Sequence, residues 1–263
     1  MSRIMELNID GIKDSDLMKG FDFNNYNAVD QDRWKNLLSS VNEAHDGVAC
    51  SSYTKGMKAL GDNFSDIPNL IDLNHKLEKL TGWRIMAVDG ILGCEEFYKL
   101  LSRKIFPSAT FVRDWHSQAF TGYPDLFHDV VGHLPLMFEP AFGDFVAKSA
   151  KVIHAILEKA NDGAEKEILI QNFTRYGWFT WEAGMIIENG VGKAYGGAIL
   201  SSAGETKNLK KRGYDKFDLQ EVFNQSFTDK EFSCRYFVID SYNDLFASLE
   251  AIKDKYNISG ALN

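Results

Sequence analysis

Apolar residues recur at helical spacing along much of this chain. The pattern is helical over residues 34–41 and again over residues 70–80, where Gly82 provides a C-terminal stop. Ser241, with Asp244 three residues later, opens a last helix in the manner of a capping box. Further helices are predicted over residues 95–104, 142–160 and 168–188.

Strand signals are shorter and fewer. Residues 83–88 form an extended candidate that ends at a turn, Asp89-Gly90, and residues 236–240 form a second candidate. A polar loop is predicted over residues 161–167. Because helices dominate this pattern, the predicted fold class is mainly α with small β elements.

The size of the chain suits one domain. It has 263 residues, of which 44% are hydrophobic, and no internal repeat or linker divides it. We therefore expect a single domain over residues 1–263. Within it, residues 1–25 are expected to form a poorly ordered N-terminal extension.

Charge and cysteine content bear on partners and location. A net charge of -8 leaves no basic face for binding many phosphates, so small molecules are expected as partners and nucleic acids are not. The sequence has no apolar run long enough for a signal or membrane segment, which predicts a cytoplasmic protein that does not bind membranes. Cys50, Cys94 and Cys234 are odd in number and far apart, which fits reduced thiols.

Two histidines lie close together in a Gly- and Pro-containing segment. His128 and His133 are five residues apart, which places them about 140° apart around an ideal α-helix. A regular helix therefore cannot bring both to one metal, and the helix is expected to end between them, at Gly132 and Pro135. The spacing allows metal binding, but buried core histidines remain the alternative at this point.

Glu182 is the candidate for a third ligand. It lies in the aromatic stretch 178–184, where an ionised carboxylate needs a cation, a metal or hydrogen-bond donors. Two imidazoles and one carboxylate form the facial arrangement of non-haem Fe(II) oxygenases, although zinc accepts the same ligands. A salt bridge of Glu182 on an exposed stripe is the structural alternative.

Further motifs accompany these residues along the chain. In order they are TGWR at 81–84, FPSATFVR at 106–113, PDLFHDVVGHLP at 124–135, WFTWEAG at 178–184 and AYGGAILSSAGE at 194–205. From about Trp34 to about Leu249, they resemble the pterin-dependent aromatic amino acid hydroxylases, most closely the short bacterial phenylalanine hydroxylases. The resemblance implies the catalytic-domain fold of that family, without the regulatory and tetramerisation segments of animal enzymes, and therefore a monomer.

The resemblance also implies an activity and its requirements. We expect a monooxygenase that hydroxylates the ring of an aromatic amino acid, with phenylalanine to tyrosine as the first choice. Fe(II), a tetrahydropterin cosubstrate and O2 are the implied cofactors. Tyrosine or tryptophan hydroxylation, or attack at another ring position, remain alternatives.

Individual roles follow from the resemblance. The iron ligands of the family correspond to His128, His133 and Glu182. Arg113 corresponds to the anchor for the substrate carboxylate, a task that suits its planar fork of donors. The other implied substrate contacts are Thr121, Pro124, Asp125, Trp178 and Ser201.

The pterin site is implied at a second segment. A pterin is expected to stack on Phe97 and to meet the backbone of the loop Gly90, Ile91 and Leu92. Asp129 stands where relatives usually carry Glu, so it is expected to reach a pterin through water or in a shifted pose.

Several positions depart from the bacterial pattern and leave the substrate open. Gly177 and Ala183 are smaller than usual, which either admits a larger ring such as indole or is offset by Trp181 and Tyr123. Gly122 also departs from that pattern, and Asp229 lies near a position that influences substrate preference.

Two other classes of protein compete with this interpretation. A zinc hydrolase would use the same three ligands, with Asp129 or Glu205 as the general base, but the chain lacks zincin spacing. An inactive binding module would be favoured by an incomplete set of ligands, and all three are present.

Overall fold

The computed structural model describes residues 4–5, 9–61, 64–114, 124–161, 163–228 and 231–258. Four positions singled out from the sequence lie outside the described residues, namely Thr121, Gly122, Tyr123 and Asp229.

Helices make up most of the described chain. They are α1 (Ala28–His45), α2 (Ser51–Leu60), α3 (Leu70–Thr81), α4 (Cys94–Ser102), α5 (Pro140–Lys159), α6 (Ala164–Gly177), α7 (Gly197–Leu200), α8 (Ala203–Arg212), α9 (Leu219–Asn224) and α10 (Tyr242–Lys255). The predicted fold class, mainly α with small β elements, is confirmed.

Helix ends follow local side-chain chemistry. Asn69 accepts a hydrogen bond from the Ile71 amide at the start of α3, and Gly82 ends that helix in the left-handed conformation, with a φ of 75°. Ser241 and Asp244 form the predicted capping box of α10. The predictions for these two helices, and for the long helix that is α5, are confirmed.

Strands form three small sheets in the described residues. They are β1 (Ile4–Met5), β2 (Arg84–Val88), β3 (Ile91–Leu92), β4 (Ile105–Ala109), β5 (Gly184–Glu188), β6 (Val191–Ala194), β7 (Asp215–Lys216) and β8 (Phe237–Ile239). β1 pairs in parallel with β3, β2 pairs in parallel with β4, and a third sheet has the order β6-β5-β8-β7. The predicted strands at 83–88 and 236–240 correspond to β2 and β8.

The helix predicted over residues 168–188 is wrong in its second half. The helical chain ends at Glu182, and the next residues form β5, paired with β6 and β8. Gly184 has no room for a side chain, because a Cβ there would overlap the ring of Tyr195, and Ile186 and Ile187 are β-branched residues that favour a strand. The loop predicted over residues 161–167 is also shorter than expected, since α6 begins at Ala164.

The main core lies between the helices and two of the sheets, the β2–β4 sheet and the sheet β6-β5-β8-β7. Large aromatic side chains fill it, including Trp34, Phe127 and Tyr195, each at most 1% exposed. A second, smaller buried cluster lies under α4 and the β2–β4 sheet, and residues 9–17 contribute to it. Among the described helices, none combines the length and apolar character needed to span a bilayer.

Candidate active site

Both histidines lie on a single turn of π-helix. This turn spans His128–His133, and the Leu134 amide closes it by donating to the carbonyl of Asp129. The prediction that the helix ends between the histidines is therefore wrong: the helix widens instead. In a π-helix the hydrogen bond joins residues five apart, so residues at this spacing face the same side. The local widening places both imidazoles on one face.

A second π-helical turn carries Glu182. It spans Trp178–Glu182 at the end of α6, and the Ala183 amide donates to the Trp178 carbonyl at 2.7 Å. The chain then enters β5. Glu182 consequently occupies the junction between a helix and a strand, where its side chain projects toward the histidine pair.

The three side chains converge on one point. The Nε2 atoms of His128 and His133 are 3.0 Å apart, and Glu182 Oε1 is 3.2 Å from His133 Nε2. Glu182 Oε2 lies 3.5 Å from His128 Nε2 and, although it is buried, has no hydrogen-bond partner among the described residues. Octahedral ligands about 2.1 Å from one ion lie about 3.0 Å apart at right angles, so these separations suit a divalent metal.

Electrostatics at this cluster favour a positive charge. Burial lowers the pKa of His128 to about 3, so this imidazole is neutral and free to act as a ligand. Burial alone would raise the pKa of Glu182, but His133 and His128 outweigh it and lower the pKa, which keeps the carboxylate ionised. Burial likewise opposes protonation of His133, yet the charge of Glu182 raises its pKa. A divalent cation would supply the positive charge that the carboxylate attracts.

Asp125 connects the histidine segment to Arg113. Its fully buried carboxylate accepts hydrogen bonds from the backbone amides of Phe127 and His128, at 3.3 and 3.1 Å, which caps the helix. The same carboxylate accepts from the backbone amide of Arg113 at 3.0 Å and from its Nη1 at 3.2 Å. Asp125 thus ties the start of the histidine turn to Arg113.

Ser201 joins the same network from the other side. Its hydroxyl lies 2.8 Å from Nδ1 of His128, and its carbonyl accepts a hydrogen bond from Nη2 of Arg113. A partner on the second ring nitrogen fixes the orientation of a ligating histidine. Arg113 keeps one buried donor, Nε, that no described residue accepts from, and its side chain is 9% exposed.

Three glycines allow the segments that carry the ligands to interlock. A Cβ at Gly197 would overlap the imidazole of His133, and one at Gly196 would overlap the carbonyl of Glu182. A Cβ at Gly132 would lie 2.6 Å from the carbonyl oxygen of Gly197. These contacts were missed from the sequence, although the glycine pair lies in the AYGG motif at 194–197.

Two of the expected substrate contacts, Trp178 and Pro124, lie within the described chain. Trp178 is 9% exposed and stacks on Phe227, with ring centroids 5.0 Å apart and an interplanar angle of 23°. Its Nε1 donates to Ser233 Oγ at 3.4 Å. Pro124 is exposed and begins the described segment that leads into the histidine turn.

The space left by Gly177 is filled. A Cβ at Gly177 would lie 2.9 Å from the indole of Trp181, whose ring packs in the interior near Tyr98 and Phe145. Ala183 is fully buried. Of the two outcomes predicted for these small residues, the described structure supports compensation by Trp181 and gives no support to an enlarged pocket.

The loop expected to bind a pterin connects β2 to α4. Gly90 is exposed with a φ of 136°, a conformation that favours glycine, and Ile91 and Leu92 form β3. Phe97 is half-buried in the first turns of α4, with its ring edge-on to Tyr98 at 5.7 Å.

Two carboxylates near the site are occupied by backbone and phenol donors. Asp129 is 4% exposed and accepts from the Ala109 amide at 2.7 Å, and burial raises its pKa to about 8. Glu205 accepts from the Ser233 amide at 3.0 Å and from the Tyr236 hydroxyl at 2.5 Å. These contacts assign both carboxylates structural partners, which leaves little support for either as the base of a zinc hydrolase.

Comparison with known proteins decides the family. A model of the family described as biopterin-dependent aromatic amino acid hydroxylase matches residues 19–258. This chain belongs to that family. A curated relative, phenylalanine-4-hydroxylase of Chromobacterium violaceum, is 30% identical over 226 residues, covering 84% of this chain and 73% of the relative.

Solved structures of this hydroxylase family share the fold. A crystal structure of Chromobacterium violaceum phenylalanine hydroxylase with bound iron(III) and 7,8-dihydrobiopterin has a TM-score of 0.77 and 30% identity, and the match covers 90% of this chain and 85% of that one. Another structure of that enzyme, bound to iron and phenylalanine, has a TM-score of 0.76 and 29% identity, over 89% of this chain and 83% of that one. The predicted aromatic amino acid hydroxylase catalytic-domain fold is confirmed.

Proposed function

We propose that this hydroxylase binds Fe(II) through His128, His133 and Glu182 and converts phenylalanine to tyrosine with a tetrahydropterin and O2. The observation that carries the proposal is the convergence of two imidazole nitrogens and one unsatisfied carboxylate oxygen within 4.8 Å of one another. Iron and tetrahydropterin together would activate dioxygen, with one oxygen atom added to the substrate ring and the other to the pterin.

The proposed roles of the side chains follow from their contacts. Ser201 contacts the ring of His128 and Asp125 accepts from its backbone amide, so the ligand is oriented before metal binds. Arg113 lies beside this network, and its buried Nε has no partner within the described part of the chain, which suits a carboxylate-bearing substrate. Trp178 supplies an apolar wall for the substrate ring, and the buried surroundings exclude water from the reacting centre.

Phenylalanine is the proposed substrate for two reasons. The solved relative bound to iron and phenylalanine shares most of the fold. In this chain, the indole of Trp181 packs against Gly177, so the small residue at that position does not by itself favour a larger ring.

Anaerobic loading with Fe(II), followed by tetrahydropterin, O2 and each aromatic amino acid in turn, tests this proposal. We expect tyrosine from phenylalanine as the main product, identified by mass and chromatographic position. Faster hydroxylation of tyrosine or tryptophan would overturn the substrate, and no hydroxylated product from any of them would overturn the function. Hydrolytic activity with zinc and none with iron would favour the zinc hydrolase.

We also propose that residues 1–263 form one catalytic domain that acts as a cytoplasmic monomer. The cysteines support a reducing compartment, because Cys50, Cys94 and Cys234 are all free and Cys50 is buried. Light scattering should give a mass near 29.7 kDa. A mass twice as large would overturn the monomer.

A further inference from the structure

The N-terminal segment formed by residues 9–17 packs beside the loop expected to bind the pterin. The family match begins only at residue 19, so this segment lies outside the part of the chain that the family shares. It nevertheless contacts β2 and α4, the two elements that precede and follow the loop Gly90–Leu92.

Apolar contacts bury both ends of this segment. Ile9 and Leu17 are each 2% exposed. They form a small cluster, separate from the large core, with Met86, Val88, Leu100 and Ile105. Two of these partners belong to the elements on either side of the loop, since Val88 ends β2 and Leu100 lies in α4. Packing of this kind fixes the distance between the strand and the helix.

Backbone hydrogen bonds add a second attachment. The Ala87 amide in β2 donates to the carbonyl of Leu17 at 2.8 Å. Farther toward the N-terminus, β1 pairs in parallel with β3 of the loop itself, with Ile4 opposite Ile91 and Met5 opposite Leu92. The N-terminal chain thus pairs with β3 of the loop through β1, and it contacts β2, the strand before the loop, through Leu17.

Ion pairs attach the segment to α4 and to β2. Asp10 accepts from Lys99 Nζ and Arg103 Nη2, each at 2.8 Å, and Arg103 also donates to the carbonyl of Ile9. Lys99 lies in α4, two residues after Phe97, and Arg103 caps the end of that helix. Asp14 pairs with Arg84 of β2 at 2.5 Å. Each side of the loop therefore has its own ionic contact to the segment.

The loop itself has few means of holding its shape. Asp89 and Gly90 are exposed, and in the described part of the chain the loop is continuous with β2 and α4 and pairs with β1. Its position relative to Phe97 is consequently set by the elements on either side. Residues 9–17 bridge those elements.

We propose that residues 9–17 are positioning residues for pterin binding, holding the Gly90–Leu92 loop and Phe97 at the separation that a pterin ring requires. This inference rests on the proposed function. It predicts that loss of the segment's contacts weakens pterin binding, while iron and amino-acid binding are retained, because the ligand cluster and Arg113 have their own supporting contacts.

Charge reversal at Asp10 tests the proposal with little risk to folding, since its side chain is 69% exposed. The probe is 7,8-dihydrobiopterin, titrated into the iron-loaded protein by calorimetry. Asp10→Arg places a like charge against Lys99 and Arg103, and should raise the dissociation constant by about threefold. Asp240→Arg is the matched control, because Asp240 is 66% exposed and pairs with Lys216 at 3.2 Å on the β7–β8 side. It should leave pterin binding unchanged.

Removal of an apolar anchor should have a larger effect. Leu17→Ala opens the small cluster and should weaken dihydrobiopterin binding by about tenfold. Its control is Leu249→Ala in α10, which removes a side chain of the same size that is also 2% exposed. That variant should lose thermal stability while it retains pterin affinity.

The outcomes separate this inference from the proposed function. Failure of the wild-type protein to bind dihydrobiopterin would overturn both. Wild-type binding with equal affinity in Asp10→Arg and Leu17→Ala would overturn only the positioning role. Equal weakening of phenylalanine and pterin binding in these variants would also overturn it, because it would indicate general loosening.

Discussion

Different kinds of contact hold the proposed ligand cluster, formed by His128, His133 and Glu182, and the proposed pterin loop, residues 90–92. At the cluster, each important side chain has partners within hydrogen-bond distance: Asp125 caps the histidine turn, and Ser201 binds the imidazole of His128. At the loop, Gly90 is exposed, and the supporting contacts lie behind it in β2, α4 and residues 9–17.

The difference shows how a metal site and a cosubstrate site have different requirements. A metal centre needs its ligand atoms fixed to within a fraction of an ångström, which short hydrogen bonds and glycine contacts achieve. A cosubstrate must enter and leave, so a loop that can yield is compatible with its task. Substitutions at or next to the ligand cluster should therefore reduce metal binding strongly. Pterin binding should depend on the residues packed behind the loop.

Loss of a ligand should have the largest effect. His133→Ala removes one of the three groups at the metal, so iron content should fall to near zero and turnover should drop by more than about 10³-fold. Metal analysis and a tyrosine assay measure both. His154→Ala, at a half-buried histidine paired with Glu158 on α5, is the control and should retain iron. Full iron occupancy in His133→Ala would remove His133 from the ligand set.

The glycine interlock should come next. Gly197→Ala forces its Cβ against the imidazole of His133, and we expect Fe(II) affinity to fall by about 100-fold as the ring is displaced. Anaerobic Fe(II) titration measures this. Gly143→Ala is the control, since its Cβ would meet Trp83 at 3.0 Å, away from the ligands, and iron affinity should persist. Equal loss in both variants would mean that the Gly197 contact supports only general stability.

A substitution at Arg113 should separate substrate binding from iron binding. Arg113→Lys keeps the charge and loses the planar fork, so KM for phenylalanine should rise by about 30-fold. Iron should be retained, because Asp125 still accepts from the backbone amides that it caps. Arg175→Lys in α6, where the guanidinium pairs with Asn172, is the control. An unchanged KM would contradict the anchor assignment.

Acid should slightly lower the free energy of unfolding through His45, which contacts the segment that carries Ser201. His45 Nε2 lies 2.7 Å from the Leu200 carbonyl, next to Ser201, and burial lowers its pKa from 6.5 to about 4. The imidazole of His45 therefore binds a proton less readily in the folded protein than in the unfolded chain. The contribution of neutral His45 to the free energy of unfolding is complete above pH 6.5 and is lost as the pH falls toward 4. From pH 6.5 to 5.5 the loss should be about 1 kcal/mol.

Denaturant unfolding of the metal-free protein at these two pH values measures the effect. His45→Gln does not titrate, so it should lose about 1 kcal/mol less than the wild type over the interval. His75→Gln changes an exposed histidine and should behave as the wild type does. The same acid loss in His45→Gln and the wild type would refute the assignment.

Local patterns were sufficient to predict several elements of the fold. Gly82 marks the end of α3, and Ser241 with Asp244 marks the start of α10, because caps act through residues close in sequence. β5 was mistaken for helix, since an apolar run such as Met185–Ile187 suits either state until its partner strands are known. Those partners lie far away in the chain.

The candidate site was predictable in its residues and less so in its geometry. His128, His133 and Glu182 were selected from the sequence, and the structure brings them together, but the π-helical turns were not foreseen. Such a turn depends on tertiary contacts, here the approach of Gly197 to Gly132, that local spacing does not reveal. The contacts of residues 9–17 were likewise not foreseen, because they depend on burial against β2 and α4.

X-ray absorption at the iron edge of the Fe(II)-loaded protein tests the central claim most directly. We expect two imidazole ligands and a carboxylate oxygen at about 2.1 Å from the iron, and loss of one imidazole contribution in any residual iron of His133→Ala. Sulfur scattering, or an imidazole signal unchanged in that variant, would contradict the assignment of His128, His133 and Glu182 as the metal site.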